Sequence, residues 1–244
     1  MTEPAPASVP DQGLFARAIG VIFSPGATFA GVVARPRPAG ILLLTSLVVA
    51  LAAGLPQFTE HGRQTVLDMQ VRSIERFTGQ PVNPDMYEQM RSRTQYAGYT
   101  TLASTLIVAP VFALFFAAIF WFAFNAILGG TALFKQVLAI VTHAGVIGAL
   151  AAVVSAPITY LQDSPSMAGP FNLGALVPML EPDSFLASLL GFISVFVIWQ
   201  IIVTAIGLGV LYRRKTRNIA IGLMSAYLLL AAVITTGLSA LTGR

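Results

Sequence analysis

The sequence predicts an all-α fold: a polytopic membrane helix bundle with five transmembrane helices, amino-terminal interfacial helices and an extracytoplasmic helical hairpin. Three observations predict it. Hydrophobic residues make up 56% of the 244 residues and charged residues only 10%, and mean hydropathy is +0.78. Soluble domains run near 45–50% and about 25%, and a soluble chain this apolar lacks the polar groups to cover itself. Five long runs contain no Asp, Glu, Lys or Arg, and roughly 20 apolar helical residues cross a hydrocarbon core about 30 Å thick. The runs are apolar all round, without strand alternation, and lipid leaves no unpaired backbone group tolerable, so helices are expected rather than a β-barrel. A disordered chain, a disulfide scaffold and an ordinary cytosolic enzyme are excluded. With no cysteine, thiol chemistry and Cys-ligated metal are excluded too.

Residues 1–11 are Pro/Ala-rich and are expected to be a disordered tail. Residues 12–38 follow. Leu14, Phe15, Ile19, Ile22 and Phe23 recur at near-helical spacing, and Ser24-Pro25 reads as a stop and restart, with Ser at the N-cap and Pro at N1. Phe29, Val32 and Val33 continue on one face. Two short helices lying in the interface plane are expected, with packing on the bundle as the alternative. Residues 39–241 form the membrane domain. Its first run, 39–57, follows Arg35 and Arg37 and contains Ala50-Leu51-Ala52, a form signal peptidase accepts, but the preceding segment is far longer than a signal's n-region. The run is read as a retained anchor.

Residues 58–98 are the sizeable polar segment, with five arginines and five acids. A helix is expected from Glu60 to about Phe77, a break at Gly79-Gln80-Pro81, and a second helix from Asn83-Pro84 that runs on into the second span. Its balanced charge reads most simply as a solvated face, with ligand binding as the lesser reading. The remaining runs are 99–128, 136–160, 185–211 and 219–241. Pro110 and Pro157 are expected to kink or break the second and third helices.

Orientation follows from charge. The linker 212–218 holds Arg213, Arg214, Lys215 and Arg217, whereas 161–184 holds only the acids Asp163, Glu181 and Asp183. Placing the basic linker in the cytoplasm puts the amino terminus and Lys135 inside, and the hairpin and carboxyl terminus outside. Net charge is then +6 inside and −2 outside, which together give the chain's +4. The basic anchor is Lys135, Arg213, Arg214, Lys215 and Arg217, suited to anionic headgroups rather than nucleic acid.

In lipid, small residues and polar side chains mark helix contacts. Ala144, Gly148, Ala152 and Ala156 form a stripe at successive i, i+4 steps; Ala205 with Gly209, and Ala232 with Thr236 and Ala240, form shorter ones. These are seams within the chain or faces for a second copy. Asn125, His143 and Gln200 are polar residues at membrane depth, with His143 roughly 10 Å and Gln200 roughly 16 Å from the cytoplasmic end by helical rise. They are candidates for one intramembrane cluster lining a path for a solute or proton; the alternative is a neutral histidine bonded to neighbouring helices. No span carries an acid, which argues against proton-driven transport. GxSxG, HExxH and P-loop motifs are missing, so no enzyme, cofactor or metal is expected. Gly207-Leu208-Gly209 is only a GxG fragment within a span.

Ser24-Pro25 with Phe29 ahead of Arg35-Pro36, a helical segment between the first two spans, and the stretch from Gly129-Gly130-Thr131 through Lys135-Gln136 to Thr142-His143-Ala144-Gly145 carry a resemblance. With the five-span layout, they resemble the bacterial branch of the Yip domain (Ypt-interacting protein) family over about residues 12–240. The resemblance implies a bacterial inner-membrane protein that acts through a membrane protein partner, a homo-oligomer or membrane lipid. Eukaryotic members act in Golgi and endoplasmic-reticulum trafficking with small GTPases, but their acidic-aromatic motif has no match here, so that role is not carried over. By chemistry alone, Gly129-Gly130 offers a tight turn with positive φ at the end of the second span.

Overall fold

The computed structural model describes residues 12–162, 169–177, 179–180 and 184–242. The tail 1–11 and the linker acids Asp163, Glu181 and Asp183 lie outside them. The helices are α1 (Leu14–Phe23), α2 (Pro25–Ala34), α3 (Pro38–Gly54), α4 (Glu60–Thr78), α5 (Pro84–Thr94), α6 (Ala97–Phe122), α7 (Phe134–Leu161), α8 (Phe185–Phe192), α9 (Val195–Tyr212) and α10 (Thr216–Thr242). No strand occurs among the described residues. Five stretches are long and apolar enough to cross a membrane: Pro38–Phe58, Ala97–Ile127, Phe134–Leu161, Val195–Tyr212 and Thr216–Gly237.

α7 is the hub and packs on α3, α6, α9, α1 and α2. Val137, Ile140, Ala144 and Ile147 on α7 meet Phe29 of α2, Ile41 of α3, Ala117 of α6 and Leu208 of α9 in one buried cluster. Gln136 ties the start of this hub to α2: its Oε1 accepts the Leu133 N–H at 3.0 Å, and its Nε2 donates to Val33 O at 3.2 Å.

α1 and α2 differ from one another. Thr28, Phe29 and Val32 of α2 are buried, and α2 packs on α9 and α7, so it forms a layer of the bundle. α1 instead leaves Phe15, Ile19 and Phe23 exposed along one stripe. Ser24 does separate the two helices with Pro25 at N1, but its side chain caps nothing. At φ −147° and ψ 61° it lies away from the extended geometry that aims a capping hydroxyl at the next amides.

The polar segment holds two helices as expected. Thr59 caps α4 by accepting the Gly62 N–H at 3.0 Å, and Gly79, at φ 69°, ends it. Asn83 caps α5 by accepting the Met86 N–H at 2.7 Å. Arg63 pairs with Glu60 at 2.7 Å and holds its carboxyl below the usual carboxylate range. The start of α4 is fixed to the end of α7: His61 Nε2 donates to Tyr160 O at 2.7 Å, and the two rings meet edge to face.

Four sequence expectations are corrected. α5 does not run into the second span; a turn at Gln95–Tyr96 separates them. Of the kink or break expected at Pro110 and Pro157, the break does not occur: α6 and α7 run through them, because a break in lipid would orphan more backbone groups than the ring does. The run 185–211 is not one helix. Ile193 is extended between α8 and α9, where Leu173 N donates to Ile193 O at 2.9 Å and Val195 N to Phe171 O at 3.1 Å. This tertiary partner is invisible to hydropathy. On α10, Thr236 and Ala240 are exposed; the buried pair is Ala231 and Thr235, one residue earlier.

Candidate functional site

A polar arrangement at the end of the spans lies where α6 gives way to α7. The last turn of α6 widens into a π-turn, Ala123–Ile127, with Leu128 N donating to Ala123 O at 3.1 Å and Gly130 N to Phe124 O at 2.9 Å. Gly129 sits at φ 71°, the conformation expected of the glycine pair. Gly130 serves a different need: a Cβ there would stand 2.5 Å from the Tyr212 ring and 2.8 Å from Phe124 O.

Asn125 closes this turn. Its Nδ2 donates to Ala132 O at 2.7 Å, and its Oδ1 accepts the Ala132 N–H at 3.3 Å and the Tyr212 hydroxyl at 3.0 Å. Trp121 Nε1 also donates to Ala132 O, at 3.0 Å. The Tyr212 ring stacks on Phe124 with centroids 4.7 Å apart, and Arg214 donates to Leu128 O at 2.8 Å. The end of α9 is thereby stapled to the α6–α7 turn.

His143 is fully buried, about 13 Å of helical rise into α7. Its Nδ1 donates to Ala139 O at 2.7 Å, which leaves Nε2 of the neutral ring as an acceptor. That Nε2, Ser46 Oγ and Arg17 Nε are buried without hydrogen-bond partners among the described residues. Gln200 lies half-buried beside the α7 stripe, with its Oε1 3.3 Å from where a Cβ on Gly148 would stand. No hydrogen bond joins Asn125, His143 and Gln200 to one another among the described residues.

Within the stripe, Ala144 is buried, while Gly148, Ala152 and Ala156 are half-buried. The room left by Gly209 is taken by its own chain, Thr216 Oγ1 and Arg214 O. A close seam between spans falls on Gly207, which the sequence offered only as part of a GxG fragment: a Cβ there would stand 2.5 Å from Ile140 and 3.1 Å from Phe29. Its signal was a glycine facing no turn inside a span. Trp121 was missed and Tyr212 was read only as the head of the basic anchor, although aromatic residues at span ends are a known interfacial sign. Lys135, Arg213, Arg214, Lys215 and Arg217 are all exposed, and Arg213 turns the chain at φ 53°.

A bundle of five apolar helices, folded around a central helix of small residues, defines an integral multi-pass membrane protein. Residues 19–238 match the family described as the Yip1 domain, and the chain belongs to that family. It is similar to the membrane protein YknW of Bacillus subtilis (strain 168), 24% identical over 221 residues that cover 90% of this chain and 87% of the relative. The protein is therefore of the bacterial Yip-domain type. No solved structure matches the chain.

Proposed function

We propose that the protein is non-enzymatic and works by contact, holding a partner membrane protein, a second copy or lipid against its bundle. The observation that carries this is the use of Asn125: every polar group of its amide closes the α6–α7 turn or holds Tyr212. A solute path built on Asn125, His143 and Gln200 thus loses one of its three residues to architecture. The transporter reading keeps one support, the unpartnered Nε2 of His143. Complementation of a deletion strain separates the two. On the contact reading, His143→Ala and Gln200→Leu retain function and Gly148→Leu loses it; the opposite pattern contradicts it.

The proposal includes the placement in a bacterial inner membrane: amino terminus, Lys135 and the 212–218 linker in the cytoplasm, α4, α5 and the carboxyl terminus outside, and α1 in the interface with Phe15, Ile19 and Phe23 toward lipid. The chain has no cysteine, so single thiols report cleanly. Ser73→Cys is expected to react with an impermeant maleimide from outside only, and Thr216→Cys from inside only. Reversed labelling would overturn the orientation.

A further inference from the structure

We propose that the groove between the π-turn of α6 and the first turns of α10 seats one anionic phospholipid, a site that rests on the contact reading and names its lipid. The groove encloses about 410 Å³, within the roughly 300–1,000 Å³ usual for small-molecule sites. Phe124 and Leu128 form one wall, and Ile219 and Leu223 the other. Between them the α10 backbone is bare at Gly222, where a Cβ would meet nothing within 4 Å. Arg214, Lys215 and Asn218 stand at one end. Charge at a rim and an apolar channel one to two helical turns below match a phosphate headgroup and the start of an acyl chain.

The rim is selective by charge. The Lys215 side chain makes no hydrogen bond or ion pair among the described residues, and Arg214 spends Nη2 on Leu128 O while keeping further donors. The amino-terminal end of α10 adds partial positive charge. Neither 212–223 nor 124–135 contains an acid, so the ammonium of a zwitterionic headgroup would find no carboxylate. Phosphatidylglycerol is therefore favoured over phosphatidylcholine.

The test uses the full chain purified in mild detergent, with native mass spectrometry against phosphatidylglycerol and phosphatidylcholine of matched acyl chains. Wild type is expected to retain phosphatidylglycerol preferentially. Lys215→Gln, at an exposed side chain, should lower that preference about fivefold, the worth of one basic residue at an anionic surface. Gly222→Leu keeps every charge but fills the channel, and should bring phosphatidylglycerol retention down to the phosphatidylcholine level, with thermal unfolding showing that it remains folded. Arg72→Gln, on exposed α4 surface, should change nothing. Equal retention of the two lipids by wild type, wild-type retention by folded Gly222→Leu, an equal loss in Arg72→Gln, or displacement of the lipid by inorganic phosphate alone would each overturn the site. Equal retention leaves the contact reading standing, whereas solute flux through reconstituted wild type would overturn that reading without altering lipid retention.

Discussion

α6 and α7 are adjacent, similar in length and comparably apolar, yet half of the most apolar window of α7 is buried inside the protein and only 6% of that of α6. Their compositions explain the difference. α6 carries Phe112, Phe115, Phe116, Ile119 and Phe122, all exposed, while α7 buries Ala139, Thr142, Ala144 and Ala149. In water the aromatic helix would be the one drawn to the core. In lipid, burial of apolar area gives no advantage, and close backbone approach through small residues decides which helix is central. The two are joined where the polar network of Asn125, Ala132 and Tyr212 replaces lipid contact with hydrogen bonds.

Substitutions that crowd the hub should do the most damage. Gly207→Leu forces a side chain into the space of Ile140 and Phe29; an overpacked core costs about 3 kcal/mol, read as a large fall in the thermal unfolding midpoint in detergent. Asn125→Leu, at the junction, leaves the Ala132 amide and the Tyr212 hydroxyl without their acceptor and should cost about 2 kcal/mol. Tyr212→Phe removes one hydrogen bond and keeps the stack on Phe124, so about 1 kcal/mol is expected. On the outward face of α6, Phe115→Leu should change stability by less than about 0.5 kcal/mol. If Phe115→Leu proved as damaging as Gly207→Leu, the division between hub and lipid-facing helix would be wrong.

Length and hydropathy made the five spans legible, because roughly 20 uncharged apolar residues have few other uses. Local chemistry made the α4 and α5 boundaries legible: Gly79 and Asn83-Pro84 act within their own turns. Features that depend on a distant partner were not legible. The break at Ile193 needs Phe171 and Leu173 beside it. The burial of α2 needs α9. The α10 seam lies at Ala231 and Thr235 because register, not residue size, selects between adjacent small pairs. At the site, residue type brought Asn125, His143 and Gln200 forward as one group. Hydrogen-bond geometry assigned Asn125 to Tyr212, a residue whose role the sequence had hidden inside a basic anchor.

The most direct test of a packed hub without a solute path is water accessibility at its polar side chains. His143→Cys and Gln200→Cys, each in the otherwise cysteine-free chain, would be exposed in native membranes to a small impermeant thiol reagent from either side, with Ser73→Cys as the reactive reference and denatured protein as proof that each thiol is present. The account predicts that Ser73→Cys reacts and that both hub thiols stay unmodified until the protein is unfolded. Rapid modification of both hub thiols in the folded protein would show a water-filled route through the bundle and contradict it.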